Sequence, residues 1–261
     1  MFTLKLLKHL LLTFTIAVLT TGCATVNGPS PEHDPFESYN RAMFEFNDAF
    51  DRAVLKPVAA AYKDYVPDPV QSGVSNFFSN LGDIIVVIND LLQGKFAQAR
   101  DDSVRFIMNT FFGVFGLFDV ATYMGLPKHN EDFGQTLGAW GVSDGPYLVL
   151  PFLGASSIRD TAGLLVDIQA DPIYDISDDE ARYATIALKA VDTRADLLGA
   201  SKVLDKAAFD RYAFLRDAYL QRRNYLVHDG EPPQDKNNKP SPSTNSAEDQ
   251  LLEEDLEKAL Q

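Results

Sequence analysis

The sequence predicts an all-α chain, one helical domain carrying a glycine- and aromatic-rich loop. Apolar residues recur at three- and four-residue steps over most of residues 34–228, the period of an amphipathic helix. Strand-like patterning is confined to a short hairpin within the loop, read as Thr136–Trp140 and Tyr147–Leu150. No repeat of roughly 20 to 50 residues is present, which excludes a solenoid. With 261 residues, 46% of them hydrophobic, the chain can bury a sizeable core.

Residues 1–22 stand apart. Lys5 and Lys8 precede an apolar run, Leu10 to Leu19, and the small residues Thr20, Thr21 and Gly22 lead to Cys23, the only cysteine. This is the layout of a secretory signal peptide. A cysteine placed directly after it resembles the lipobox of bacterial lipoproteins, in which the thiol is acylated and becomes the mature N-terminus; Thr20 stands where Leu is common. Ala24, instead of Asp, after the cysteine favours sorting to the outer membrane in such lipoproteins. Several acyl chains, at ~0.8 kcal/mol per buried CH₂, anchor a protein without a membrane-crossing helix. One cysteine leaves no disulfide framework. Removing residues 1–22 takes the formal net charge from −14 to −16, which excludes a nucleic-acid partner and suits a basic soluble one.

Residues 23–33, with Pro29 and Pro31, read as a lipidated tether, and residues 34–228 as the helical domain. A first helix begins after Asp34-Pro35-Phe36, its stripe running through Tyr39, Met43, Phe46, Phe50, Val54 and Val58, with Asn40, Asn47 and Asp51 off it. Pro57 is expected to kink it, and Pro67-Asp68-Pro69 to end the segment beyond the kink. Val70–Leu92 is apolar on more than one face and should be buried or in lipid. Gly94 closes it, and Ala97–Met108 forms a shorter helix. A further helix spans Ser157–Gln169. Ser177-Asp178-Asp179-Glu180 has the form of a capping box, starting a helix over Ala181–Leu198 that Gly199 ends. The last runs Asp205–Val227, with Arg222 and Arg223 near its C-terminal end. Residues 229–261 read as an acidic, largely disordered tail, with a marginal helix at Ala247–Gln261.

The short helix runs into Phe106–Phe118, FIMNTFFGVFGLF: five Phe, two Gly, no charge. It is too short to span a bilayer, which takes ~20 apolar residues. Its patterning admits a buried core hairpin or a segment dipping part-way into lipid. In the loop, Lys128–Ile158, glycines and prolines arrive too often for a helix of ordinary length, and loops this long are usually functional.

Little here supports catalysis. Gly141-Val142-Ser143-Asp144-Gly145 matches the G-x-S-x-G nucleophile elbow formally, but a strand-like stretch comes after it and the only later histidine is His228. The histidines are scattered, so no metal site or cofactor is expected. The acids of Asp175–Glu180 do not fit a calcium loop and suit helix capping. Arg159 with Asp160, and Arg194 with Asp192 or Asp196, read as ion pairs.

From Asp34 to Glu231 the chain resembles the MlaA (VacJ) family of outer-membrane lipoproteins. The resemblance rests on Asp34-Pro35, Asn40-Arg41, Phe46-Asn47, Lys56-Pro57-Val58-Ala59, Tyr65-Val66-Pro67 and Asn76-Phe77-Phe78-Ser79-Asn80-Leu81. It continues through Leu92-Gln93-Gly94, Arg105-Phe106, Asn109-Thr110, Gly116-Leu117-Phe118-Asp119-Val120-Ala121 and Asp132-Phe133-Gly134-Gln135-Thr136-Leu137-Gly138. Gly145-Pro146-Tyr147-Leu148-Val149-Leu150-Pro151, Arg159-Asp160, Asp192-Thr193-Arg194-Ala195 and Tyr219-Leu220-Gln221-Arg222 complete it. Ala155, where Pro is common, departs from the pattern.

The resemblance implies a helical ring, partly embedded in the inner leaflet of the outer membrane, with an amphipathic channel. It implies that mislocalised phospholipid leaves the outer leaflet through the channel and passes to a soluble periplasmic carrier, beside a trimeric porin. On that footing Phe106, Phe111, Phe112, Phe115 and Phe118 are the membrane-embedding candidates. Asn47, Gly138, Gly141, Gly145 and Tyr147 are the channel or loop candidates, and Cys23 is the lipidation site. The other classes kept open are a structural porin-associated lipoprotein that moves no lipid and a Ser143-dependent phospholipase.

Overall fold

The computed structural model describes residues 34–201 and 210–231. The expected signal peptide, Cys23 and tether, the stretch 202–209 and the tail beyond Glu231 lie outside the described residues. Within them the order is α1 (Glu37–Phe50), a π-helical turn (Asp51–Leu55), α2 (Lys56–Tyr65), α3 (Asp68–Gln93), α4 (Phe96–Phe111), α5 (Val120–Tyr123) and α6 (Phe133–Ala139). A β-hairpin of β1 (Tyr147–Leu150) and β2 (Gly154–Ser157) comes next, then α7 (Ile158–Ala170), a 3₁₀ turn (Pro172–Asp175), α8 (Asp179–Asp196) and α9 (Arg211–Val227).

The packing closes on itself. α1 lies on β1, β2 on α9, α9 on α6, α6 on α3, α3 on α8, and α8 on α2, which returns through the π turn to α1. The chain is therefore a ring with one two-stranded sheet, all-α in class as the sequence predicts and ring-shaped as the family resemblance implies. No described helix is long and apolar enough to cross a membrane.

Local chemistry accounts for most boundaries. Pro57 has no N–H to give the carbonyl four residues back, and the helix widens into the π turn just before it. Val66 is extended ahead of Pro67, which ends α2. Gly94 closes α3 in the left-handed conformation at φ +77°. Asp119, Asp132, Ser157, Asp178 and Asp210 cap the helices that begin after them by accepting a backbone N–H. The cap before α8 is Asp178, bonded to the Ala181 amide, one residue later than the Ser177 box predicted. That helix breaks at Leu197, with helical residues on both sides of Gly199.

The loop departs further from expectation. Tyr147–Leu150 is a strand, but it pairs antiparallel with Gly154–Ser157, and Phe133–Ala139 is helical. Gly134 and Gly138, four residues apart, look like helix breakers in the sequence. Here they form a flat face that lets α6 approach α7 and α9. A Cβ on Gly138 would lie 2.8 Å from Val227, and one on Gly163 would lie 2.7 Å from the Gly134 Cα. Replacing Gly163 with Ala therefore sets a methyl against backbone, which moves less readily than a side chain. It is expected to cost ~3 kcal/mol, the upper range for overpacking, read as a lowered midpoint of thermal unfolding in detergent.

Burial is inverted relative to a water-soluble bundle. Among the described residues, buried polar and charged side chains outnumber buried hydrophobic ones, 18 to 10. On α3 the buried set includes Gln71, Asn80, Asp83, Asn89 and Asp90, while Val70, Ile88, Leu91 and Leu92 are exposed. The small apolar core is Tyr147, Val149 and Tyr212, flanked by Met43, Phe44, Tyr219 and Leu220.

Candidate functional site

The Phe-rich stretch divides at Phe111. Phe106 is half-buried in α4, while Phe111, Phe112, Phe115 and Phe118 project from the α4–α5 corner, 77%, 69%, 74% and 63% exposed. Of the two sequence alternatives, the buried core hairpin is wrong. The corner is a rigid loop held from inside by polar groups. Asn76 donates to the Leu117 carbonyl (3.1 Å) and Asn80 to Thr110 (2.9 Å). Asn109 and the buried Arg105 both donate to Asp119, at 3.0 and 3.1 Å. Val114 and Phe115 take positive φ, +53° and +58°, rare for a β-branched or aromatic residue. Gly116 sits next at +87°, where a Cβ would lie 2.7 Å from Asn80. Backbone strain and an inward polar lattice thus present four phenylalanines to the outside.

A second aromatic cluster escaped the sequence reading. Phe152, at φ +63° in the hairpin turn, stacks edge-on against Phe46 (5.2 Å) and Phe50 (5.1 Å) of α1, all three exposed. The signal was present in the α1 stripe, but only the fold joins it to the turn.

The channel and loop candidates scatter. Asn47 spends its amide on the hairpin, donating to the Leu150 carbonyl (2.9 Å) and accepting from the Phe152 N–H (2.7 Å), so it is a clamp on β1. Asn40, fully buried, does the same one step earlier with Tyr147 and Val149. Tyr147 belongs to the apolar core. Gly138 is a packing glycine, whereas Gly141 and Gly145 hold positive φ, +90° and +67°, in the turn between α6 and β1. Ser143 lies exposed in that turn, with a helix before it and a strand after it, the reverse of a nucleophile elbow. Arg194 pairs bidentately with Asp51 (2.7 and 2.9 Å), not with Asp192 or Asp196.

What the fold does assemble is an open cleft of about 570 Å³, lined from four elements of the ring. α3 gives an apolar wall of Phe78, Gly82, Ile85 and Val86. α9 faces it with Tyr219, Arg222, Arg223 and Leu226, which share one helical face. Lys128, Glu131, Asp132 and Gln135 come from the segment entering α6, and Lys189 from α8. Four cations thus meet two carboxylates in a chain of formal net charge −14, so the overall acidity does not describe this surface. In the sequence, Arg222 and Arg223 stand only as helix-end cations. Arg223 instead reaches across to Asp132 (2.6 Å) and Asp160 (2.8 Å), and Asp160 also takes Arg159 and the Tyr219 hydroxyl (2.5 Å). Burial alone would raise Asp132, but Arg223 and the Gln135 amide outweigh it and hold the carboxyl below its usual range.

Behind the cleft, between α3 and α4, lies a buried acidic group. Asp90 is fully buried and neither carboxylate oxygen has a hydrogen-bond partner among the described residues. Desolvation first, then Asp102 and Glu131, push it up to about 7, against the weaker pull of His129 and Lys95. The folded chain holds this proton more tightly than the unfolded one. Its contribution to stability is complete below the ordinary carboxylate value of 3.8 and is lost as pH rises to about 7. Asp90→Asn is therefore expected to melt higher than the parent at about pH 8, by on the order of 3 kcal/mol, the two curves converging toward about pH 4.

A closed helical ring that exposes the α4–α5 phenylalanines, buries a set of carboxylates and amides and opens an amphipathic cleft defines a class: helical ring proteins with an apolar outer patch and a polar interior. Residues 32–226 match the MlaA lipoprotein family, and the chain belongs to it. It is 36% identical over 246 residues to the intermembrane phospholipid transport system lipoprotein MlaA of Escherichia coli (strain K12), covering 92% of this chain and 95% of the relative. To the protein of the same description from Haemophilus influenzae it is 34% identical over 240 residues, covering 89% and 96%. A solved structure, described as the structural basis for maintenance of bacterial outer membrane lipid asymmetry, superposes with a TM-score of 0.66 at 35% identity, over 74% of this chain and 98% of that one.

Proposed function

We propose that this chain is an outer-membrane lipoprotein that takes mislocalised phospholipid out of the outer leaflet and passes it to a soluble periplasmic carrier. The observation that carries the reading is the amphipathic cleft inside an inverted helical ring. Exposing a phospholipid's ~30 methylenes to water would cost on the order of 25 kcal/mol at ~0.8 each, while a headgroup is expensive in hydrocarbon. The α3 wall suits tails and the α9 wall suits headgroups, so no bond need be broken. Acylation at Cys23 would hold the chain at the membrane, and the α4–α5 phenylalanines, with Phe46, Phe50 and Phe152, would seat the ring in the inner leaflet. Gly141 and Gly145 are the hinge points of the turn beside it. A trimeric porin is the expected neighbour in the membrane, and a carrier with a basic docking face the expected acceptor.

The test is a transfer assay with the full lipidated chain in liposomes and a soluble lipid-binding acceptor. Transport predicts intact labelled phospholipid on the acceptor. Porin binding without transfer would support a structural lipoprotein, and release of lysolipid, lost in Ser143→Ala, a phospholipase.

A further inference from the structure

The charges around the cleft are not equally committed. Arg223 is held by Asp132 and Asp160, Lys128 by Asp83, and Lys189 by Asp171 at 3.2 Å. Arg222 lines the same cleft, is exposed, and has no hydrogen bond or ion pair among the described residues. It stands one turn from Tyr219 and Leu226 on the cleft face of α9, opposite the apolar wall of α3. A guanidinium in this position offers several N–H donors in a planar fork that matches two oxygens of a phosphate. The other cations are neutralised in place. A ligand seated with its tails on Phe78, Ile85 and Val86 would therefore meet, among the described residues, one uncompensated positive charge at its head.

We propose that Arg222 is a headgroup-binding residue that makes the cleft favour phospholipids of net negative charge, such as a phosphatidylglycerol, over zwitterionic ones. The proposal rests on the cleft being the lipid route. A zwitterionic head brings its own ammonium to the phosphate and gains little from Arg222, whereas an anionic head needs the guanidinium to offset its desolvation.

The experiment measures which lipid stays bound to the full chain when it is taken from vesicles of equal phosphatidylglycerol and phosphatidylethanolamine into native mass spectrometry. The parent is expected to retain phosphatidylglycerol about fivefold over phosphatidylethanolamine, a modest ratio suited to a solvent-exposed contact. Arg222→Gln should bring the ratio near one with phosphatidylethanolamine still bound, and Arg222→Lys should restore part of it. No enrichment in the parent, or full enrichment in Arg222→Gln, overturns the proposal. Gly82→Phe separates the two levels: if it leaves total bound lipid unchanged, the cleft itself is not the lipid route. Millimolar inorganic phosphate is the last arm. Enrichment that survives it supports a headgroup site, and enrichment that phosphate alone abolishes assigns the residue to free phosphate instead.

Discussion

Gly82→Phe is expected to stop lipid transfer while leaving the ring folded. Gly82 lies mid-helix on the α3 wall of the cleft, and a Cβ there would meet nothing within 4 Å. Its φ is not positive, so a side chain brings no backbone strain, and losing a helix-interior glycine stabilises by ~0.5–1 kcal/mol. A benzyl group would instead fill the space between Phe78, Ile85 and Leu226. Holding even two tail methylenes off that wall costs about 1.6 kcal/mol, more than tenfold in rate. Gly82→Ala is the matched control: a higher melting midpoint and unchanged transfer to the carrier. Full transfer by a folded Gly82→Phe variant would move the lipid route elsewhere.

The second large effect belongs to the α4–α5 corner. Replacing Phe112 and Phe115 together with Ser removes two rings that are about three-quarters exposed. Burying a Phe is worth roughly 1.5–3 kcal/mol, so in the proposed seating the pair would contribute ~3–6 kcal/mol. The lattice behind them, Asn76, Asn80, Asn109 and Arg105, is untouched. Folding should therefore survive, and so should acyl anchoring. The expected result is a variant recovered in the outer-membrane fraction whose cells expose more phospholipid to a membrane-impermeant label. Normal labelling with the variant correctly located would remove the corner from the mechanism.

The order of helices was legible because helix periodicity, prolines and caps act within one or two turns. Pro57, Pro67 and Gly94 each shape the chain through atoms three or four residues away. The loop was misread for the complementary reason. Gly134 and Gly138 carry no local signal distinguishing a breaker from a contact surface, and only Gly163 and Val227, brought from elsewhere, decide for contact. Asn47 is a channel candidate only through the resemblance, and nothing near it in the sequence marks the hairpin it clamps, more than a hundred residues on. Lys128, Lys189 and Arg222 are not legible as cleft residues because no spacing relates them.

By itself the sequence determined an all-α chain, the stripe of each helix and the family it resembles. It left open which way the stripes face, since periodicity reports that one side of a helix is apolar and is silent about the medium that side meets. Tertiary structure decided the direction they face. It joined Asn76, Asn80, Asn109, Arg105 and Asp119 into an interior polar lattice, and that leaves Phe111, Phe112, Phe115 and Phe118 nowhere to go but out. It also set α3 against α9 to form the cleft, where distant carboxylates neutralise three of the four cations and leave Arg222 without an ion pair among the described residues.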